Sequence, residues 1–225
     1  FGSKNLKAIV VDGTQGVEVA DPDGFKKTVN SCVDNFMSDP IREQWTKLAL
    51  HFVVPLWFKA GHLFMWDHGR ATMPPEEGMR IFGTEPYLKI KKNTLACVSC
   101  RSGDKAIFEI QDGKYAGTRA AFSCPVVMGY ALKLKVGDIN ELAKLLEMEN
   151  RYGVDAVTFS ALLDWAIDLY ERGIITKEDT GGLELKPGDF DLFLKLLEMT
   201  AKREGFGDVL ADGWLGAIKR IGRGS

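Results

Sequence analysis

Amphipathic helical patterning after Asp138 constrains the fold more than any other feature of the sequence. Asp138, followed by Glu141 at the third position, is typical of a helix N-terminus. Successive segments then place apolar residues three and four positions apart, which gives each segment one apolar face. The faces are Ile139, Leu142, Leu145 and Leu146; Phe159, Leu162, Leu163, Ala166 and Tyr170; Phe190, Phe193, Leu194 and Leu197; and Leu210, Trp214, Ile218 and Ile221. We therefore predict a multihelical domain.

The N-terminal half predicts further helices. Asp21-Pro22 supplies a capping residue and a proline at the first helical position. Cys32 is interpreted as a small buried hydrophobic residue on the apolar face of this helix. A second helix is predicted from Arg42 to Val53. The apolar face of the first helix consists of Phe25, Val29, Cys32, Val33 and Phe36.

β structure is predicted in two places. Leu6–Val11 is a short apolar run that indicates a strand, and Lys105–Ile110 and Lys114–Gly117 flank an Asp-Gly turn typical of a hairpin. Because a lone strand is not stable, Leu6–Val11 needs a partner, which suggests that the chain is a piece of a longer protein. The predicted fold class is mainly α, a multihelical domain with an N-terminal strand and a small β-hairpin.

Composition and charge exclude several classes of function. The 225 residues are 45% hydrophobic and 27% charged, as in a globular protein with a core. A net charge of −2 provides no whole-chain basic field for nucleic acid or an anionic membrane. No apolar run reaches the roughly 20 residues that a membrane span needs. The four cysteines do not resemble a disulfide framework, so a reducing cytoplasm is predicted.

The segment Pro55–His68 is rich in aromatic residues and follows no clean period. One interpretation is an apolar segment that crosses the core, with His62 satisfied by a backbone carbonyl. The other is a pocket wall in which a desolvated His62 handles a proton, because imidazole titrates near neutral pH. His68 is predicted to be a loop residue. The aromatic side chains that either wall the pocket or belong to the core are Trp57, Phe58, Phe64 and Trp66.

The stretch Asn93–Asp104 contains Cys97 and Cys100 in a CxxC pair. Two side chains at this spacing can turn onto one tetrahedral centre, and the pair therefore recurs in zinc and iron–sulfur sites. Alone, it leaves zinc, cluster and dithiol redox sites open. Cys124 stands directly before a proline, which favours an extended conformation there.

Taken in order, several stretches resemble the aldehyde:ferredoxin oxidoreductase family. They are Gly2–Ile9, Asn93–Asp104, Asn150–Asp155, Leu169–Gly182 and Arg203–Gly213. The resemblance covers nearly the whole chain. It implies a tungsten bis-pyranopterin and a 4Fe-4S cubane cluster, held by an α/β N-terminal domain and multihelical domains. It also implies that residues 1–20 end the pterin-binding α/β domain, that residues 21–150 form a helical domain with the cluster loop, and that residues 151–225 begin a further helical domain.

The resemblance implies candidate ligands residue by residue. Cys97 and Cys100 match the first two cluster ligands, whereas Asp104 stands where the family has its third cysteine. A carboxylate can ligate iron but binds it less softly than a thiolate does. Three alternatives stay open: Asp104 is an unusual ligand, the protein supplies only three ligands to the cluster, or the cluster is lost. The pterin contacts implied near the N-terminus are Lys4 and Asn5. Those implied by the Asp-x-x-Gly-Leu-Cys/Asp motif are Asn150, Gly153 and Asp155, although this chain has Asn for the leading Asp and Val for the Leu. Without the family, Asn150–Asp155 indicates only a helix-breaking turn.

Cys124 decides between branches of the family. Aldehyde-oxidising members carry a catalytic glutamate about 25 residues before the pterin motif, and Thr118–Pro125 contains none. Because a thiolate is a soft ligand for tungsten, Cys124 resembles the metal ligand of class II, ATP-independent benzoyl-CoA reductases. This branch implies reduction of an aromatic acyl-CoA to a cyclic dienoyl-CoA in an anaerobe, with His62 as the proton donor. An oligomer is also implied, with electrons from an iron–sulfur subunit or a ferredoxin.

Two alternatives remain open. The first is a tungsten aldehyde:ferredoxin oxidoreductase, which needs the glutamate missing from Thr118–Pro125. The second is a helical interaction domain with a structural zinc held by His62, His68, Cys97 and Cys100, since four nitrogen and sulfur ligands suffice for tetrahedral zinc. Metal analysis separates both enzymes from the interaction domain, because the enzymes contain tungsten and iron whereas the interaction domain contains zinc alone.

Overall fold

The segments with helical periodicity form helices in a computed structural model of the chain, which describes residues 4–62, 67–68, 71–122 and 128–223. It divides into two compact units, residues 1–42 and 43–225. The α-helices are α1 (Pro22–Ser38), α2 (Arg42–Leu48), α3 (Val53–Ala60), α4 (Pro75–Phe82), α5 (Thr84–Ile90), α6 (Ile139–Tyr152), α7 (Ala156–Glu171), α8 (Phe190–Lys202), α9 (Gly205–Ala211) and α10 (Gly213–Ile221). A 3₁₀ helix spans Ala49–Phe52, and a π-helix spans Met128–Lys133. The strands are β1 (Lys91–Leu95), β2 (Lys105–Glu109) and β3 (Arg119–Phe122).

The N-terminal unit contains α1, which begins where its cap predicts. Asp21 Oδ1 accepts a hydrogen bond from the Gly24 backbone N–H at 3.0 Å. The predicted burial of Cys32 is wrong, because its side chain is exposed and α1 contains no buried residue. An amphipathic pattern shows which face of a helix is apolar, but burial needs a second element packed on that face. The predicted strand Leu6–Val11 is likewise absent, since residues 6–11 have neither strand nor helix geometry.

An antiparallel sheet with the order β1-β2-β3 lies in the second unit. The hairpin prediction is correct for β2 but misplaces its partner: residues 114–117 form a turn, and Arg119–Phe122 pairs with β2 instead. Strand β1, which the sequence analysis missed, pairs with the other edge of β2 and aligns Leu95 with Lys105. Residues 96–104, which we call the cysteine loop, therefore close a second hairpin.

The core of the second unit forms around the central strand. Ala106 and Phe108 of β2 are fully buried, and the Tyr87 ring of α5 meets Phe108 edge-on with 5.2 Å between ring centroids. The predicted second helix breaks at Ala49, whose φ of 51° ends α2. Left-handed backbone cannot continue a right-handed helix. The chain continues through the 3₁₀ helix into α3.

Helices α6 to α10 confirm the predicted multihelical part and the mainly α fold class. The apolar faces that periodicity predicted for α6, α7 and α8 are buried, with Leu142, Leu163 and Phe193 at 0% exposure, except that Tyr170 and Leu194 are half-buried. The fourth predicted face is wrong for Trp214 and Ile218, which are 39% and 37% exposed. Helix α6 packs against both β3 and α8, so the sheet and the helical layer share one core. Within the described part of the chain, no helix is long and apolar enough to cross a membrane.

Candidate functional site

The cysteine loop presents Cys97 and Cys100 at the tip of the β1–β2 hairpin. Both side chains are exposed. The Cys100 backbone N–H donates to the Cys97 carbonyl at 3.0 Å, which closes a tight turn around the pair. Ser99 and Gly103 adopt left-handed backbone with φ of 62° and 63°. Such a turn can bring both sulfur atoms to one side, as a shared metal ion or cluster requires.

The surroundings of Cys100 favour the thiolate, which is the form that binds metals. A hydrogen bond with Ser102 Oγ, 3.2 Å from Cys100 Sγ, lowers the pKa of the thiol. Hydrogen bonds with the backbone of Gly103 and Ser102 lower this pKa further, whereas the negative charge of Asp104 opposes the shift. These hydrogen bonds favour metal binding by Cys100, and Asp104 lies close enough for its negative charge to affect the pKa of the thiol.

Hydrogen bonds connect the cysteine loop and the adjacent strand β1 to the 3₁₀ helix and α2. The Leu50 backbone N–H donates to the Asp104 carbonyl at 3.2 Å, and Thr94 Oγ1 donates to the Thr46 carbonyl at 3.1 Å. Next to Leu50, the His51 ring is buried, stacked on Tyr87 at 3.9 Å between centroids. These contacts hold an exposed loop on a rigid base.

The structure assembles neither the ligands of the zinc alternative nor the predicted trio Cys97, Cys100 and Asp104 into a metal-binding group. Within residues 4–62, 67–68, 71–122 and 128–223, no group of three or more His, Cys, Asp or Glu side chains is arranged to hold a metal ion. His68 is instead bound to two carboxylates on α7: its Nδ1 lies 2.8 Å from Asp164 Oδ1 and its Nε2 lies 3.0 Å from Glu171 Oε2. Both ring nitrogens are therefore engaged away from the cysteines.

The second part of the candidate site is the turn between α6 and α7, residues 149–155, which we call the α6–α7 corner. Gly153 ends α6 with φ of 71°, and no heavy atom lies within 4 Å of an ideal Cβ built there. Asp155 caps α7, because its Oδ1 accepts from the Thr158 N–H at 2.8 Å, and this contact lowers the pKa of its carboxyl. Asn150 donates through Nδ2 to the Leu146 carbonyl at 2.9 Å. The predicted helix-breaking turn is confirmed.

A cavity of about 410 Å³ opens at this corner. This volume lies in the range of roughly 300–1,000 Å³ typical of small-molecule sites. Its walls come from two stretches that resemble the family, Asn150–Asp155 and Arg203–Gly213, and from α8, where the buried Thr200 hydroxyl has no hydrogen-bond partner. The corner therefore offers space and polar groups to a bound ligand.

Ion pairs brace the wall formed by Arg203–Gly213. Arg203 Nη1 lies 2.9 Å from both Asp208 Oδ1 and Asp212 Oδ1. Arg220 Nη1 lies 2.8 and 3.0 Å from the other oxygens of the same carboxylates. Two guanidinium groups thus share two carboxylates, which ties the end of α8 to α9 and α10 beside the cavity.

Two glutamates of α6 differ sharply in their surroundings. Glu147 is 7% exposed and bonds to Lys144 at 2.8 Å and Arg151 at 3.0 Å. Burial raises its pKa, but these two hydrogen bonds outweigh the burial and leave the pKa below its usual value. Glu149 is 2% exposed, and neither of its carboxyl oxygens has a hydrogen-bond partner. Burial, together with the negative charge of Asp155, raises the pKa of Glu149 to about 9.

His62, the predicted proton donor, is exposed to solvent. His62 follows the left-handed Gly61 that ends α3, and its side chain is exposed, so the predicted desolvation of His62 is not found. Phe58 is a core residue rather than a pocket wall, because it is 3% exposed and a Cβ at Gly78 of α4 would overlap its ring. Trp57 is half-buried and packs against that core.

Two further predicted site residues lie in the N-terminal unit, and three predicted residues lie outside the described ranges. Lys4 and Asn5 are exposed in the N-terminal unit. Phe64, Trp66 and Cys124 lie outside the described residues.

Sequence analysis did not identify His51 and Glu149 as buried titratable groups. His51 Nε2 donates to the Phe82 carbonyl at 2.7 Å, its Nδ1 has no partner, and burial lowers its pKa to about 4. No sequence pattern around His51 predicts that its side chain is buried. Glu149 does carry a signal, because it follows Leu142, Leu145 and Leu146 at helical spacing and so places an acid on the apolar face of α6.

Comparisons with known proteins agree with the resemblance. Residues 27–225 match the sequence profile described as "Aldehyde ferredoxin oxidoreductase, domains 2 & 3". The chain is 30% identical over 236 residues to a tungsten-containing aldehyde ferredoxin oxidoreductase of Pyrococcus horikoshii, an alignment that covers 95% of this chain and 35% of the relative. It is 28% identical over 232 residues to an aliphatic sulfonate oxidoreductase, WOR-like subunit, of Pyrococcus furiosus, with 98% and 35% covered.

A solved structure shares the fold. The active site complex BamBC of benzoyl coenzyme A reductase, in complex with 1,5-dienoyl-CoA, superposes with a TM-score of 0.79 at 23% identity. The superposition covers 99% of this chain and 35% of that chain. The chain thus spans about a third of the length of these proteins.

Proposed function

The chain belongs to the aldehyde ferredoxin oxidoreductase family, and we propose that it is part of a tungsten–pterin, iron–sulfur oxidoreductase. The observation that carries the proposal is the profile match over residues 27–225, which includes both the cysteine loop and the α6–α7 corner. The relatives that carry tungsten in their names align with 95% of the chain. Two separate ligand-binding features on one family fold support a redox enzyme better than a structural module.

In this proposal the cysteine loop holds a 4Fe-4S cluster. Cys97 and Cys100 are exposed, sit on one turn, and in the case of Cys100 favour the thiolate. Thiolates are the usual protein ligands of such clusters. Asp104 remains the candidate for a third ligand, and a further ligand has to come from another segment. Because the loop is exposed, an iron–sulfur subunit or a ferredoxin can approach it to deliver electrons.

The α6–α7 corner holds the pterin in this proposal. Its surroundings fit such a group in three respects: the size of the cavity, the open side of Gly153, and the buried hydroxyl of Thr200 in the cavity wall, which has no partner. The tungsten–pterin supplies the two-electron redox chemistry when it is bound. The protein contributes backbone that a flat ring can approach at Gly153 and polar groups at Asn150 and Asp155.

For the substrate we propose an aromatic acyl-CoA, which is reduced to a cyclic dienoyl-CoA. The sequence supports this branch because it has Cys124 and no glutamate in Thr118–Pro125. The likeness of the fold to benzoyl-CoA reductase agrees with it. His62 remains the candidate proton donor, and its exposure in this chain requires that substrate or another segment cover it. The enzyme is proposed to be an oligomer with electron-transfer partners.

The competing proposal is aldehyde oxidation with ferredoxin as the electron acceptor. It is favoured by the 30% identity with tungsten-containing aldehyde ferredoxin oxidoreductases. The two proposals differ in the tungsten ligand, which is the Cys124 thiolate in one and oxygen in the other.

The test is elemental analysis and low-temperature EPR of the intact protein, purified anaerobically, with Cys124→Ser as the variant. We expect tungsten and iron in the wild type and a changed tungsten signal in the variant. A tungsten signal that the variant leaves unchanged would favour the aldehyde-oxidising branch. Zinc without tungsten would overturn the enzyme proposal.

A further inference from the structure

Helix α10 has an apolar face that is open to solvent in the described part of the chain. Its first six residues, Gly213–Ile218, include no charged side chain. Ala217 is fully buried, whereas Leu215 is 76% exposed, and Trp214 and Ile218 are exposed as well. A helix that is apolar on all sides is typical of a protein interior. The sequence of α10 is therefore suited to contacts on two sides, and one of these sides faces solvent here.

Trp165 of α7 enlarges this exposed surface. Its ring packs against the Trp214 ring with 5.4 Å between centroids, and both indoles remain partly exposed. Exposed apolar patches that contain tryptophan are typical of interaction surfaces, because a tryptophan contributes a large share of the binding energy once it is buried. We call the four residues that form this surface the tryptophan face: Trp165, Trp214, Leu215 and Ile218.

Helix α8 shows, by contrast, how a solvent-facing helix of the same unit is composed. Its outer side is a charged stripe, in which Glu198 pairs with Lys202. Such a stripe is typical of a helix surface in water. The tryptophan face consists of apolar side chains only, so contact with water does not explain its composition. The exposed residues of the charged stripe follow one another at helical spacing: Asp191, Lys195, Glu198 and Lys202.

The length of the similar proteins indicates what covers the tryptophan face. The aldehyde ferredoxin oxidoreductase of Pyrococcus horikoshii and the benzoyl-CoA reductase structure align with 95% and 99% of this chain, but the chain spans 35% of each. About two thirds of each of those proteins therefore lies outside the aligned part. A segment joined to the same polypeptide has a high effective concentration at such a face, which favours it over a separate protein.

We propose that the tryptophan face is an interdomain contact, covered in the intact protein by an apolar surface of the same polypeptide outside residues 1–225. The inference rests on the family and the fold and not on the proposed chemistry, so it stands or falls separately from tungsten and iron binding. The alternative occupants are a second copy of the protein and a separate electron-transfer subunit, and the experiment distinguishes them.

The experiment measures how fast a maleimide labels a cysteine on the tryptophan face of the intact protein, expressed without partner subunits. Leu215→Cys places a thiol on this face, and Lys195→Cys places one on the charged stripe of α8 as the matched control. Mass spectrometry of peptides separates both thiols from the native cysteines. We expect Leu215→Cys to react at least about tenfold more slowly than Lys195→Cys, because a covered thiol reacts only when the contact opens. This ratio should not depend on protein concentration.

Equal labelling rates in the two variants would show that the tryptophan face is open to solvent in the intact protein and would overturn the proposal. Protection that is lost on dilution would assign the face to a second copy. Protection that requires an added electron-transfer subunit would assign it to that subunit, and either result overturns the proposal as well. If Leu215→Cys is not recovered as folded protein, Ile218→Cys on the same face decides by the same criteria.

Discussion

The cysteine loop and the α6–α7 corner are two parts of one proposed redox site, yet they are built in opposite ways. The loop exposes its ligands: Cys97 and Cys100 face solvent, and left-handed backbone shapes their turn. At the corner and in the adjacent wall of α8 the polar groups are buried: Glu149 is 2% exposed and Thr200 is 8% exposed, both without hydrogen-bond partners. The cysteine loop presents its candidate metal ligands at the surface, whereas the α6–α7 corner has polar atoms inside the core.

This difference has energetic consequences. Exposed ligands cost the fold little, so their identity is set by chemistry alone and they can be replaced without unfolding the protein. Buried unpaired groups lower the stability of the cofactor-free fold, so binding and stability are linked at the corner. We therefore expect changes in the loop to alter metal content and changes in the corner to alter both stability and cofactor binding.

The largest effect is expected from removal of both loop cysteines. Cys97→Ala combined with Cys100→Ala should reduce the iron bound per chain at least about tenfold, since exposed thiolates are the proposed ligands. Because neither side chain is buried, the free energy of unfolding of the cofactor-free protein should change by no more than about 0.5 kcal/mol. Iron analysis and thermal unfolding measure the two quantities.

Cys32→Ala is the matched control for the loop, because Cys32 is also exposed but lies in the N-terminal unit. It should leave both the iron content and the stability unchanged. A double variant that keeps its iron would show that the cysteine loop is not a cluster site, and the comparison between loop and corner would lose its first half.

The second effect is a pH dependence of the free energy of unfolding, which Glu149 produces. Its pKa is about 9 in the folded protein and has an ordinary value of 4.5. Between these values the folded state holds a proton that the unfolded state has lost, so stability is full below pH 4.5 and is lost as the pH rises toward 9. The loss is about 1.4 kcal/mol per pH unit, or about 4 kcal/mol between pH 5 and pH 8.

Denaturant unfolding of the cofactor-free protein across this pH window tests the prediction. Glu149→Gln cannot titrate and should flatten the curve. Glu147→Gln should keep the wild-type slope in this window, because the pKa of Glu147 is lowered and its contribution is lost only in acid. Equal slopes for wild type and Glu149→Gln would mean that Glu149 is solvated, and the corner would then resemble the loop.

The third effect concerns the backbone of the cysteine loop. Gly103 has φ of 63°, and a Cβ there would lie 2.8 Å from Thr94 Cγ2. Gly103→Ala should therefore lower the free energy of unfolding by roughly 2 kcal/mol, because left-handed strain and crowding against Thr94 add together. Gly113→Ala is the control, since Gly113 has φ of 79° but open space around it, so it should show the strain alone. An equal loss of unfolding free energy in the two variants would show that Thr94 does not crowd a side chain at position 103.

The sequence predicts the exposed part of the site better than the buried part, for a physical reason. A CxxC pair places its ligands by local spacing, so Cys97 and Cys100 are found without knowledge of the fold. The turn at Gly153 is equally local. Glu149 is marked by an acid on an apolar helix face, but only the packed core shows that nothing pairs with it.

Tertiary contacts also explain the errors in the fold prediction. Helical periodicity located α6, α7 and α8, because an apolar stripe is a property of a single segment. The burial of Cys32 was wrong because it depends on what packs against α1. The desolvated histidine is His51 and not His62, and His51 is buried by its stacking on Tyr87, which is distant in sequence.

The smallest effect separates the structural and the proposed cofactor role of Asp155. Its carboxyl caps α7 through Thr158, just as the Asp189 carboxyl caps α8 through the Leu192 N–H at 3.0 Å. Asp155→Ala and Asp189→Ala should each cost about 1 kcal/mol of unfolding free energy, the usual loss for an N-cap. Only Asp155→Ala should also lower the pterin content, because Asp155 lines the cavity at the corner. If both variants retain pterin equally, Asp155 is a helix cap and nothing more, and Asn150 and Gly153 remain as the proposed pterin contacts of the corner.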